Sequence, residues 1–129
     1  WKPEQALTLD FGYSYLTAKD QNNDDIKDVA NHMLSASMHW AIDEHWQWNL
    51  STKWIDDRKR AVNDSRKELS GYTLVNTKLE YRNFIDKFNI SLVINNLLDD
   101  NAYEPSNGGV PGDYPLPGRK LTLELSYHY

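Results

Sequence analysis

No cysteine occurs among the 129 residues, which rules out disulfide staples and thiolate metal sites and fits a cell-surface or periplasm-facing chain as well as any other. Long hydrophobic runs are missing as well. Mean hydropathy is −0.75 and apolar residues come only a few at a time, so no transmembrane helix can be drawn. That absence leaves strand-wise crossing open, because membrane strands alternate and a hydropathy window averages their two faces. Positive charge is in the minority, with 14 Lys and Arg against 19 Asp and Glu. A formal net charge of −5 and a pI near 5.2 argue against nucleic acid as a partner. Proline is sparse, and four of the five prolines fall between Leu97 and Gly118. The chain opens at Trp1 and not at a methionine, and shows no signal peptide; the expectation is a piece of a longer chain. Aromatic residues are plentiful, with five Trp and eight Tyr.

The period of the apolar residues is two almost throughout. Leu121, Leu123, Leu125, Tyr127 and Tyr129 alternate with Thr122, Glu124, Ser126 and His128, which makes a strand with one apolar and one polar face. At about 3.3 Å per residue it measures roughly 30 Å, and tilted by about 45° it covers much of the apolar band of an outer membrane. Aromatic side chains close its apolar face, as in the interfacial girdle of a membrane barrel. The same alternation predicts strands at Leu7 to Tyr15, Leu34 to Ile42, Trp46 to Trp54, one opened by Gly71 and Tyr72 and alternating from Val75 to Arg82, and Phe88 to Asn95. Between them run the polar stretches Thr17 to Asn31, Asp56 to Ser70 and Leu97 to Gly118, and the short links Asp43 to His45 and Asn83 to Lys87.

Connections therefore alternate long and short. An antiparallel meander with tight turns at one end and long loops at the other is the pattern of membrane barrels, with the turns periplasmic and the loops outside. The expected fold is all-β, a meander of about six strands forming a segment of a transmembrane β-barrel. A soluble sandwich could bury the apolar faces but does not explain the regular alternation of loop lengths. Trp40, Trp46 and Trp48, gathered near the Asp43 to His45 turn, fit a periplasmic aromatic girdle, with Trp54 at the opposite end of its strand; a sugar platform is the other reading.

At Asn96-Leu97-Leu98-Asp99 followed by Tyr103, the chain resembles the end of the penultimate strand of TonB-dependent outer-membrane receptors. Pro117-Gly118-Arg119 before the last strand, and the aromatic C-terminus at Tyr129, match the same family. Ser14 to Ala18 and Gly71 to Asn76 sit where similar receptors have like strand ends. Leu98 and Tyr129 each stand where phenylalanine is the more usual residue. The resemblance implies that residues 1–129 are the C-terminal part of the receptor barrel, with no second domain, equivalent to the last six of about 22 strands around a plug. The plug, the energy-coupling box and most of the ligand site would lie outside it. A piece of that size cannot close the barrel alone, so self-closed or domain-swapped β structure is the alternative for the isolated chain.

By that resemblance the function is uptake of a ferric siderophore or a similar scarce metal complex, without catalysis and without a cofactor, in a Gram-negative cell outer membrane. The implied partners are outer-membrane lipid, the barrel assembly machinery through the C-terminal strand, TonB through receptor parts not in this chain, and a small-molecule metal chelate. The loops should carry ligand contacts, since a rigid barrel positions them around its mouth. Within them Arg58, Arg60 and Arg66 could attract an anionic ferric chelate, and Tyr103 and Tyr114 could stack on an aromatic one; each is also an ordinary solvated loop side chain. Asn96 and Asp99 are expected to cap a strand end, and Arg119 to form an ion pair at the outer rim.

His32, His39, His45 and His128 lack metal-ligand spacing. Asp24, Asp25 and Asp28, or Asp99, Asp100 and Asn101, lack the spaced pattern of a calcium loop. Sequons at Asn49, Asn63 and Asn89 are attributed to chance, two of them falling inside predicted strands. Ser126 and His128 share a face but have no elbow, acid or oxyanion element around them, so a barrel enzyme has little support. A soluble antiparallel β binding module is the alternative to a receptor segment.

Overall fold

The computed structural model describes residues 6–17, 19, 21, 26–60, 64–106 and 111–129. Ala18, Asp24, Asp25 and Asn63, named above for motifs, lie outside that set. Eight strands form among the described residues: β1 Leu7–Tyr15, β2 His32–Ala41, β3 Trp46–Ile55, β4 Tyr72–Ile85, β5 Phe88–Asn95, β6 Tyr103–Glu104, β7 Tyr114–Pro115 and β8 Lys120–Tyr127. Six of them make one antiparallel sheet in the order β1-β2-β3-β4-β5-β8, and β6 and β7 pair separately inside the last long loop. No helix is present among the described residues.

Register turns the period-two pattern into two different surfaces. One row across the sheet runs Leu7, Trp40, Trp48, Leu79, Leu92, Leu123, and the next runs Leu9, Met38, Leu50, Thr77, Ile94, Leu121. Every strand thus points its apolar set the same way, and nothing covers it: Phe11 is 76 % exposed and Leu123 70 %. At the tight-turn end this band finishes in aromatic contacts, Trp46 to Tyr81 at 4.8 Å, Tyr81 to Phe84 at 6.5 Å and Phe88 to Tyr127 at 5.0 Å between ring centroids. Tyr13, Tyr15 and Trp54 close it at the other end, with the Tyr15 ring tilted against His32 at 5.0 Å between centroids. Between the two belts the strands measure roughly 25–30 Å along their length.

The opposite face is polar over most of its height. Lys78 Nζ lies 3.1 Å from Glu124 and 3.5 Å from Glu80, while Arg82 Nε donates to Glu80 at 3.0 Å. Towards the long loops the same face turns apolar, which the strand alternation alone did not show. Met33, Ile55, Tyr72 and Leu74 project there, and Ala30, Ala102 and Leu116 pack on them as a small core beneath the loops. The sheet does not curl into a self-closed body: β1 and β8 remain unpaired edges. With its largest apolar side chains exposed, a sandwich interior is not formed.

Turns explain where strands stop. Asp43 Oδ1 accepts the N–H groups of His45 and Trp46, both at 2.7 Å, and these bonds, that of Trp46 first, hold its carboxyl below the usual range. The expected link over Asn83 to Lys87 is shorter than the sequence suggests. β4 continues to Ile85, opposite Phe88, so the turn is Asp86 and Lys87 alone. A register shift between Tyr81 and Ile85 absorbs two extra residues of β4, with Asn83 at φ 53° and Lys87 at φ 66°. β8 ends at Tyr127, two residues before the predicted end.

Gly71 marks the close approach of the second loop to β3. A Cβ there would stand 2.6 Å from the backbone oxygen of Ile55, whereas one at Gly12 would meet only the mobile Oγ of Ser35. Gly71→Ala is expected to destabilise the chain by about 1–3 kcal/mol, as overpacking against backbone does, with Gly12→Ala costing clearly less. Denaturant midpoints of the two variants in detergent micelles check the order; equal midpoints would refute it.

Candidate functional site

All three long loops leave the sheet at the same end, from Tyr15/His32, Ile55/Tyr72 and Asn95/Lys120. The last of them is seated by β4, which extends beyond the end of β5 and offers it a free edge. Leu97 N donates to Val75 O at 2.7 Å, Asn96 N to Asn76 Oδ1 at 3.0 Å, and Thr73 N to Asp100 Oδ2 at 2.8 Å. Asn96, buried and at φ 50°, organises the bend: its Nδ2 donates to the carbonyls of Asp100 and Pro117, and its Oδ1 accepts from Asp100 N. Asp99 Oδ1 accepts from Arg119 N at 2.9 Å, and the two side chains lie 3.5 Å apart at an exposed position. A Cβ at Gly118 would sit at ordinary contact distance from Asp99, and Tyr129 is fully exposed beyond β8.

The second and third loops are joined by arginine. Arg58, only 4 % exposed in its side chain, donates from Nη1 to Glu104 Oε2 at 2.7 Å and from Nη2 to Tyr103 O at 2.6 Å, over the ring of Tyr72 at 5.3 Å. Backbone bonds in both directions between Arg58 and Leu69 pin its own loop. Tyr72 hydroxyl donates to the other oxygen of Glu104 at 2.5 Å. Arg60 is equally buried: Nε donates to Lys67 O at 2.6 Å, and both terminal nitrogens donate to Asp113, which they clasp in a two-pronged pair. Arg66, more exposed, pairs two-pronged with Asp64 and reaches Ser106 Oγ at 2.7 Å, Gly112 O at 3.1 Å and Asp113 Oδ1 at 3.3 Å.

Three guanidinium groups thus meet the three carboxylates Asp64, Glu104 and Asp113, leaving a cluster of zero formal charge. Removing one partner of a buried pair of this kind costs about 3–5 kcal/mol, because the other charge stays behind. The acidic members were not legible as site residues, since the sequence reading weighed cations in the second loop without pairing them to acids of the third. Opposite charge excess in two loops at the same sheet end is the signal that would have found them.

Of the residues singled out in the loops, Arg60, Arg66 and Tyr103 line one cleft of about 360 Å³, together with Lys67, Asn101 and Asp113. Arg58 lies buried behind it, and Tyr114, across from Glu104 in the β6–β7 pair, is half exposed but does not line it. The histidines do not converge: His32 meets Tyr13, His39 meets Asn49 and His128 meets Asn89. Among the described residues no group of three or more His, Asp or Glu is placed to hold a metal ion.

A one-sided apolar sheet, closed above and below by aromatics and bearing its long loops at one rim, defines the wall of an outer-membrane β-barrel. The family described as "TonB dependent receptor-like, beta-barrel" matches residues 1–97, and the chain belongs to that family. The match spans the first five strands and stops before most of the motif-bearing C-terminal third. Among solved structures, the ferric-catecholate import receptor Fiu of E. coli K12 is similar over 96 % of this chain and 19 % of its own, at 17 % identity and a TM-score of 0.77. A mutant of the ferric enterobactin receptor PfeA of Pseudomonas aeruginosa is similar over 96 % and 20 %, at 18 % identity and a TM-score of 0.70. The chain therefore spans about a fifth of the receptors it matches, and the likeness is one of fold. Comparison with curated protein sequences gives no match.

Asp64 is held at about 2, first by the side-chain bond from Arg66 and then by that residue's backbone N–H, and the Arg60 guanidinium lowers Asp113. Both folded values lie below the unfolded one near 3.9. The Asp64 contribution to loop stability is therefore present above about pH 4 and is lost as pH falls through about 2, and Asp113 acts in the same sense. Amide exchange at residues 64–70 and 103–106, corrected for intrinsic rate, should hold steady from pH 7 to 4 and rise between pH 4 and 2. A rise already complete at pH 5 would rule the ion pairs out as the cause.

Proposed function

We propose that this chain is the C-terminal barrel wall of an outer-membrane receptor that takes up a ferric siderophore or a similar metal complex in a Gram-negative cell. One observation carries the reading: six antiparallel strands expose a continuous apolar band between two aromatic belts, in a chain of the TonB-dependent receptor family. Lipid covers that band, because water would leave side chains such as Phe11 and Leu123 unburied. The free edges of β1 and β8 pair with further strands of the barrel, since unpaired backbone groups are costly in hydrocarbon. β8, with its aromatic end, is the strand presented to the barrel assembly machinery, and TonB is engaged by receptor parts beyond this chain.

The names of the two similar structures, receptors for ferric catecholate and ferric enterobactin, support a ferric chelate as the cargo class. Tyr103 and Tyr114, half exposed on the β6–β7 pair, offer stacking surfaces to such a ligand, and Arg66 offers the least buried of the three guanidinium groups. The cargo passes without a change of covalent bonds, so the site needs to bind and release and no more.

Light scattering on the purified chain tests the membrane part: it should be monodisperse only in detergent, and a compact detergent-free monomer of 15.1 kDa would exclude a barrel wall. The cargo part is tested by expressing the whole receptor in a Gram-negative strain lacking its own siderophore receptors. Growth on low iron should return with a ferric siderophore supplied, and Tyr103→Ala should raise the half-saturating concentration several-fold.

A further inference from the structure

We infer that Asp113 is an internal stand-in for an anionic ligand, occupying the Arg60–Arg66 site until a ligand anion exchanges with it and releases the Gly112–Asp113 segment of the third loop from the second. This rests on the receptor reading above and adds to it the device by which the loops sense charge. Arg60 is the starting point. Its side chain is 5 % exposed, and the carboxylate it clasps in two-pronged geometry is that of Asp113. Desolvated as it is, this guanidinium needs anions beside it; Asp64 Oδ2 stands 3.7 Å from Nη1, but only Asp113 fills the two-pronged position. The same carboxylate accepts from Arg66 Nη1 at 3.3 Å and from Ser106 N at 3.3 Å, so one group ties both arginines to the third loop.

Asp113 stands at the wall of an open cleft of about 360 Å³ and not in a sealed interior, and Arg60, Arg66 and Tyr103 face the same space. It follows Gly112, which holds φ +86°, with open space where a Cβ would stand. A neutral ligand entering the cleft has nothing to offer Arg60 in exchange for the carboxylate. A multivalent anion has, and by replacing Asp113 it frees the Gly112–Asp113 segment from both arginines, while Arg58 keeps its hold on Glu104 and Tyr103. The pairing thus opposes water and neutral solutes while yielding to negative charge. Asp113 is a specificity residue acting through Arg60 and Arg66, and substitution that removes its charge without its shape should favour anions selectively.

Amide exchange and titration on the whole receptor in detergent test this with three probes: ferric tris-catecholate, a trianion; neutral ferric tris-hydroxamate; and iron-free pyrophosphate. In the unsubstituted protein the two anions should speed exchange at Asp113 and Tyr114 at least threefold, and the neutral complex should not. Asp113→Asn should bind pyrophosphate at least tenfold tighter, leave hydroxamate binding within twofold, and lose the gain when Arg66→Ala is added. Pyrophosphate acting this way while neither ferric complex binds would uphold the exchange and overturn the siderophore reading. Ferric complexes binding with no anion effect on loop exchange would overturn the exchange alone. Absence of any anion effect in the unsubstituted protein overturns it even if Asp113→Asn fails to fold.

Discussion

Antiparallel pairing without a register slip across the first four strands is the constraint on which the molecule depends. Because side chains alternate with a period of two, a one-residue slip in any of the pairs from β1 to β4 would send that strand's leucines and tryptophans to the polar side. The rows from Leu7 to Leu123 and from Leu9 to Leu121 exist only because all pairings agree. Where two residues are in excess, near Asn83, the chain absorbs them at the tight-turn end, beyond the apolar rows. Among the described residues no second layer stands behind the sheet, so the backbone ladder carries much of what a packed core carries elsewhere.

Packing of the usual kind is confined to the loop end. There the polar face gives way to Met33, Ile55, Tyr72 and Leu74, and the third loop lies over them with Ala102 and Leu116. This small core and the Arg58–Glu104–Tyr72 group are continuous, since Tyr72 belongs to both. A hydrophobic footing beneath a charged clasp is a way to hold long loops without spending their outer surface on each other. The cleft of Arg60, Arg66 and Tyr103 stays open above it.

Charge balance changes the meaning of the loop arginines. In the sequence Arg58, Arg60 and Arg66 read as a positive patch; folded, each has a carboxylate within hydrogen-bond distance, and two are almost wholly buried. Attraction of an anion is then a matter of exchange against Asp113 and not of free positive potential. Tyr103 and Tyr114, by contrast, keep about half of their surface in solvent.

Strand positions, the single apolar face, the alternation of loop lengths and the aromatic belts were all legible in the chain, because alternation is a local property and each strand states it within about ten residues. Strand ends were read to within two or three residues, the misses at β2, β4 and β8 falling where the ladder runs on past the alternation, at His32 and Met33 and at Asn83 to Ile85, or where it stops early, as at Tyr127. The family was legible in the short motifs at Asn96 to Asp99 and Pro117 to Arg119, and the family match over residues 1–97 agrees with it. What only the tertiary structure decided is which distant groups meet: Arg58 with Glu104, 46 residues on, and Arg60 with Asp113, 53 residues on. Local pattern cannot specify such partners, since many acids lie within reach of a long loop. The choice is made by the protruding edge of β4, which seats the third loop, and by burial, which admits a guanidinium only with its counter-charge.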